Sequence, residues 1–281
     1  MASVPPETHM GPVELTVAEL DRSLDYYRGS IGLSVLEEGG GTARLGSNDT
    51  ELLRLVEVPG ASSARGYTGL FHIALMLPER RDLARWLAHA ARGRVQLTGL
   101  SDHNVSEAIY LQDPDDHGIE IYADRPREIW EGEVGQRLTT QPLDVENLLG
   151  ELDDPQSEPF EGQPGGTRMG HVHFRVADIP ATIQFFQGVL GMDLMATYGS
   201  QAAFLAAGGY HHHVGANTWE SAGRPAPPEG TAALRQATIV FPDAASRDEA
   251  VQRVVESGQE PEDTPAGPVV RDPSGNSLLL A

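Results

Sequence analysis

His72 and Glu120 are the residues from which chemistry can first be argued in this chain. His72 lies in Phe71-His72-Ile73-Ala74-Leu75-Met76-Leu77, and Glu120 lies in Gly118-Ile119-Glu120-Ile121-Tyr122. Both runs are short, rich in branched and aromatic residues and bounded by Pro, Gly or Asp, so they read as strands. Alternate strand residues point to opposite faces. Phe71, Ile73, Leu75 and Leu77 therefore share an apolar face with Ile119 and Ile121, while His72 and Glu120 point the other way. An imidazole and a carboxylate on one face of a small sheet are two thirds of a divalent metal site. The third ligand is found in Met169-Gly170-His171-Val172-His173-Phe174-Arg175-Val176, where Val172, Phe174 and Val176 face the core and His171, His173 and Arg175 face away. One histidine on a half-buried strand needs no function. Two at corresponding strand positions, with a carboxylate to match, point to a facial triad of His72, His171 and Glu120.

Three further segments carry candidates. Gly208-Gly209-Tyr210-His211-His212-His213-Val214-Gly215-Ala216-Asn217 reads as an alternating strand, with His211, His213, Gly215 and Asn217 on the cavity side and His212 facing a helix. His213 is thus the candidate acid/base residue or fourth ligand, with His211 and His212 behind it. Tyr110 precedes Glu120 by ten residues across the Asp113-Pro114-Asp115-Asp116 turn, and His103 sits in the turn-like Ser101-Asp102-His103-Asn104. A buried tyrosine is usually core, and a turn histidine usually surface. Their nearness to the proposed ligands makes both candidates.

The elements that must position these residues come from a tandem duplication. Val13-x-Leu15-x-Val17-Ala18 recurs as Val172-x-Phe174-x-Val176-Ala177, and Tyr26-Tyr27-x-Gly29-x-Ile31-Gly32 as Phe185-Phe186-x-Gly188-x-Leu190-Gly191, at a constant offset of 159 positions that also relates Asp113-Pro114 to Asp272-Pro273. Each copy contains two strand-helix-strand units. Leu20, Leu24, Tyr27 and Ile31 mark one face of the first helix, and Ile179, Ile183, Phe186 and Leu190 mark its counterpart. The fold class is α+β, four βαβββ modules forming two incomplete-barrel domains: residues 8–125 hold modules 1 and 2, residues 126–168 form a linker rich in Pro, Gly, Glu and Asp, and residues 169–281 hold modules 3 and 4. A short helix over Asp144 to Leu152, capped by Asp144, is expected within the linker. The position of His171 is taken by Pro12 in module 1, and those of His72 and Glu120 by Gln236 and Leu279 in module 4. Each half alone has an incomplete ligand set. Pairing of module 2 with module 3 would complete one site, and exchange between two chains of a homodimer would serve equally well.

Composition excludes several classes. With no cysteine, disulfides and thiolate ligands are ruled out, so a metal must sit on His and carboxylate. Acidic residues outnumber basic ones 41 to 20 and every basic one is Arg, which argues against nucleic acid and fits a protein hydrated by carboxylates in a salt-rich cytoplasm. No apolar run approaches the ~20 residues of a membrane span, and the N-terminus lacks the pattern of a signal peptide. A cytoplasmic enzyme without membrane partners is the expectation.

The βαβββ repeats, the Tyr-Tyr-x-Gly-x-Ile-Gly and Phe-Phe-x-Gly-x-Leu-Gly helix ends and the Asp-Pro-Asp-Asp-His-Gly-Ile-Glu-Ile-Tyr run resemble the vicinal oxygen chelate superfamily. Within it, the Gly-Gly-Tyr-His-His-His segment and the Ile119 to Pro126 run resemble the two-domain bacterial catechol 2,3-dioxygenases. The resemblance implies an extradiol dioxygenase using Fe(II), with Mn, Ni or Zn as alternative ions, and taking a small aromatic diol and O2. Carried over by position, it puts the ligands on His72, His171 and Glu120, the base on His213, the ring-facing Tyr on Tyr110 and a further His on His103. Glyoxalase I type isomerases and metal-free resistance proteins share the fold. The first usually needs a second carboxylate, and the second has no use for an open triad.

Overall fold

The computed structural model describes residues 3–281. All four modules are present. Strand His9–Val17, a helix from Leu20 and strands Ser34–Gly39, Thr42–Ser47 and Thr50–Glu57 form the first, and Gly69–Leu77, helix Arg80–Gly93, Leu97–Asp102, Ser106–Gln112 and Gly118–Asp124 the second. The third runs Arg168–Arg175, a helix from Ile179, Asp193–Tyr198, Ala202–Ala206 and Val214–Asn217; the fourth runs Leu234–Val240, helix Ala244–Glu256, Glu262–Thr264, Gly267–Arg271 and Ser277–Leu280.

The helices of modules 1 and 3 bury the faces their spacing marks: Leu20, Leu24, Tyr27 and Ile31 in one, Ile179, Phe186 and Leu190 in the other. Both end in a π-helical turn, Tyr27–Ile31 and Gln184–Leu190, followed by Gly32 and Gly191 at φ 90°, a left-handed conformation that glycine adopts without a Cβ penalty.

The sheets are assembled across the duplication. One has eight strands and is built from modules 1 and 4, joined where His9–Val17 runs antiparallel to Leu234–Val240. The other has nine, built from modules 2 and 3 with the short strand Gln141–Pro142 at one edge, and is joined where Gly69–Leu77 runs antiparallel to Arg168–Arg175. Each sheet thus takes one module from each half, the arrangement that the division of ligands between halves requires. One apolar core lies between these sheets and their helices, where Ile73, Leu75, Leu77, Ile109, Ile119, Ile121, Val172 and Phe174 pack with Leu83 and Trp86. Each such side chain contributes about 1.5–3 kcal/mol by leaving water.

Residues 126–168 are more structured than a flexible connector. Trp130 and Val134 are buried with Val105, helix Val134–Arg137 lies near strand Asp193–Tyr198, and the short helix Val145–Leu149 is capped by the Asp144 carboxylate accepting from Asn147 N. No helix is long and apolar enough to cross a membrane among the described residues.

Candidate active site

Glu120, Ala74 and His171 form one row across three adjacent strands of the nine-stranded sheet, since Ala74 pairs with Glu120 on one side and with His171 on the other. The buried Ala74 methyl is small enough to leave space above it. His72 lies two residues along the same strand, hence on the same face. The three side chains converge: His72 Nε2 and His171 Nε2 are each 3.0–3.2 Å from Glu120 Oε2 and 3.2 Å from one another. All three residues are buried, and they are the one group of three or more potential ligands whose donor atoms lie within 4.8 Å among the described residues.

Two lone-pair nitrogens and a carboxylate oxygen aimed at one point suit a divalent cation. The protonation of His72 and Glu120 favours it too. Burial lowers the pKa of His72 despite the neighbouring Glu120. Burial alone would raise Glu120, but the His171 and His72 rings more than reverse this and hold it well below the ordinary carboxylate range. A neutral imidazole and an ionised carboxylate bind a cation without first releasing protons.

Two members of the cluster, His72 and Glu120, line a 420 Å³ cavity together with Tyr110, His103, His173 and His212, and His171 touches both from outside that lining. His103 Nδ1 lies 2.7 Å from the Thr139 carbonyl, so that nitrogen carries the proton and Nε2 accepts from Tyr110 Oη, also at 2.7 Å. Burial, then the charge of Glu120, raises Tyr110 well above the usual phenol value and keeps it protonated. His173, opposite His72 in the ladder, accepts at Nε2 from Asn217 Nδ2 at 3.0 Å, the amide being oriented by the Trp219 N–H donating to its Oδ1.

Two expectations about facing are corrected. Phe71 does not share the apolar face of Ile73. In the ladder His173 pairs with His72 and the next residue, Phe174, pairs with Leu70, so Phe71 is the extra residue of a bulge. A bulge re-aims its side chain, and Phe71 lines the cavity beside His72 while Leu70 enters the core. The second correction concerns the histidine triplet. Gly208 and Gly209 both take positive φ, at 60° and 67°, so residues 207–213 turn and the strand begins only at Val214. Alternation therefore does not extend back through the triplet. His212, not His213, lines the cavity, its ring centroid 4.1 Å from that of His171. His213 opens on a different cleft near Pro6, His9 and Arg127, where its Nδ1 accepts from Ala207 N at 3.2 Å.

His211 is fully buried behind His212. Its Nε2 is 2.9 Å from Asp124 Oδ1 and its Nδ1 is 2.8 Å from His212 Nδ1. A carboxylate can only accept, so in neutral His211 Nε2 holds the proton and Nδ1 accepts from His212 Nδ1–H. That leaves the lone pair of His212 on Nε2, which has no protein partner. Burial, then the nearby His171 ring, push the pKa of His212 well below the ordinary imidazole range, so the ring stays neutral. His173 and Asp124 were not singled out from sequence, and His212 stood there only behind His213. His173 shares a strand face with His171 and Asp124 shares one with Glu120, so for these two the period-two signal was present; for His212 the signal was the Gly208-Gly209 pair.

The family model described as the Glyoxalase/Bleomycin resistance protein/Dioxygenase superfamily matches residues 9–121 and 168–280. A Bacillus subtilis (strain 168) protein named catechol-2,3-dioxygenase is 39% identical over 287 residues, covering 99% of this chain and 99% of its own. Among solved structures, a protein of Bacillus subtilis subsp. subtilis str. 168 whose name proposes a dioxygenase has a TM-score of 0.63 at 14% identity, covering 100% of this chain and 86% of its own. Glyoxalase I from Zea mays has a TM-score of 0.59 at 18% identity, covering 98% and 92%. These two structural likenesses concern the fold alone.

Proposed function

The chain belongs to the glyoxalase/bleomycin resistance protein/dioxygenase superfamily, and from that premise we propose that it is an Fe(II)-dependent extradiol dioxygenase that cleaves the ring of catechol-like diols with O2. The observation that carries this reading is the convergence of His72, His171 and Glu120 on one point beside an open cavity that His72 and Glu120 line. A relative named catechol-2,3-dioxygenase, aligned along nearly the whole chain, supports it.

His72, His171 and Glu120 would hold the iron, which would supply a Lewis acid able to bind a diol and O2. The residues around it do the rest. His212 Nε2 presents a lone pair to the cavity and takes the proton of a diol hydroxyl. His211 and Asp124 fix that tautomer and turn the ring, so they position the base without touching substrate. Tyr110 stays a phenol, donates its O–H in a hydrogen bond to His103 Nε2 and keeps its oxygen lone pairs for a hydroxyl of the diol. Phe71, Phe204 and Trp219 wall the cavity and limit water around the reacting groups.

A glyoxalase-type isomerisation is less well supported. A four-ligand site of that kind takes a second carboxylate, and Glu120 is the only carboxylate lining the cavity among the described residues.

The test is direct. His72→Ala, His171→Ala and Glu120→Gln should each lower iron affinity by about 100-fold or more, beyond the roughly 10–100-fold typical of outer-shell partners, with circular dichroism unchanged. The iron-loaded wild type should consume O2 with catechol and leave a hemithioacetal untouched. Stoichiometric iron with normal turnover in any one variant would remove that residue from the triad, and isomerase activity without O2 uptake would overturn the reaction.

A further inference from the structure

The cavity above the ligand cluster is larger and more apolar than an unsubstituted diol needs. A void of about 150 Å³ holds benzene, whereas this one measures 420 Å³, within the range of about 300–1,000 Å³ usual for larger ligands. Its mouth is marked by the lining residues that are also exposed, Tyr198 and Trp219. Phe71 packs edge-on against Trp219 at 5.3 Å between ring centroids, His173 lies 5.9 Å from both Trp219 and Phe204, and Tyr198 and Leu138 complete the rim. Four large hydrophobic side chains stand exposed among the described residues, and two of them, Tyr198 at 69% and Trp219 at 46%, belong to this mouth. Such concentration marks a binding surface.

Charge gives the second criterion. The chain has no lysine, and no arginine lines the cavity. Arg175, on the strand of His171, is turned elsewhere: its Nε donates to the Leu70 carbonyl at 2.7 Å and its Nη1 is 3.8 Å from Glu220. A carboxylate carried on the substituent, away from the ring oxygens that would meet the metal, would find no arginine or lysine to pair with, and an unpaired buried charge is costly. The formal net charge of −21 adds long-range repulsion of anions.

We infer that the substrate is an uncharged diol bearing a bulky apolar substituent, an aryl or long alkyl group held between Phe71, Trp219, Phe204 and Tyr198, and that catechols bearing carboxylates are excluded. This rests on the dioxygenase reading for the diol itself, but the preference for apolar, uncharged rings is a property of the cavity and can be measured apart from turnover.

The probes are monohydroxylated analogues, which lack the second oxygen needed for ring cleavage. Binding of phenol, 2-hydroxybiphenyl and 4-hydroxybenzoate, whose carboxylate lies away from the hydroxyl, to the iron-loaded protein under argon is followed by calorimetry. We expect 2-hydroxybiphenyl to bind at least tenfold more tightly than phenol, 4-hydroxybenzoate to bind no better than phenol, and Trp219→Ala to shrink the biphenyl advantage several-fold. In oxygen-electrode assays kcat/KM should favour 3-phenylcatechol over 3,4-dihydroxybenzoate by tenfold or more. Tighter binding of 4-hydroxybenzoate than of phenol would overturn the inference, as would a biphenyl advantage below tenfold. Should the binding order hold while no diol is cleaved, the dioxygenase reading fails and the assignment of ligand class stands.

Discussion

His212 and His213 are adjacent in sequence yet face different cavities, and the structure assigns them opposite behaviour. His212→Phe should retain iron and lose turnover by about 100-fold or more, the usual contribution of a general base, whereas His213→Phe should leave turnover within a few-fold. His213 has another signature. Burial, and next the neighbouring His211, hold its pKa down to about 3, against about 6.5 in an unfolded chain. Between those values the unfolded chain binds the proton and the folded one does not. Stability is therefore unaffected by this group above about pH 6.5 and falls below it, by up to about 1.4 kcal/mol per pH unit. Urea titrations of wild type and His213→Phe from pH 4.5 to 8 should show the wild type losing ground to the variant only below about 6.5. A constant difference across that range would mean that another group titrates.

At the scale of strands and turns, the sequence was legible where period two ran unbroken. His72, Glu120 and His171 lie on continuous strands, and alternation alone put them on one face. It failed where the backbone departs from that period: at the Phe71 bulge, visible only in the pairing of two distant strands, and at Gly208-Gly209, where two left-handed residues reset the phase. Residues 126–168 read as a linker because their elements are too short for a periodic signal, yet Leu138, Thr139 and Thr140 wall the cavity, and the Thr139 carbonyl sets the His103 tautomer. Close strand approach yields a further prediction. A Cβ on Gly118 would fall 2.0 Å from the Phe71 carbonyl oxygen and 3.0 Å from the His72 Cβ. Gly118→Ala should push the Glu120 strand from the His72 strand, destabilising the fold by about 1–3 kcal/mol, as overpacking does, and lowering iron affinity further than the stability loss accounts for. Normal iron affinity at the expected loss of stability would mean that the triad tolerates a shifted strand.

For the molecule as a whole, the governing fact is that both sheets are closed by strands from opposite halves. The eight-stranded sheet repeats the architecture of the active one: Glu14 faces Gln236 as His173 faces His72, and Leu279 pairs with Thr238 as Glu120 pairs with Ala74. All three ligand positions there are occupied by Pro12, Gln236 and Leu279, which cannot replace the triad. Residues 1–126 and 166–281 expressed separately should each hold little iron and show no ring cleavage, and mixing them should restore one iron per pair. Tight iron binding by either fragment alone would contradict the pairing.

The same division has a consequence on the ribosome. His72 and Glu120 emerge long before His171, so a nascent or truncated chain carries only part of the donor cluster and, if that cluster is the metal site proposed above, would not retain a labile ion. Loading would then wait for strand Arg168–Arg175 to dock, and the order of synthesis would keep an oxygen-activating ion from the unfinished polypeptide.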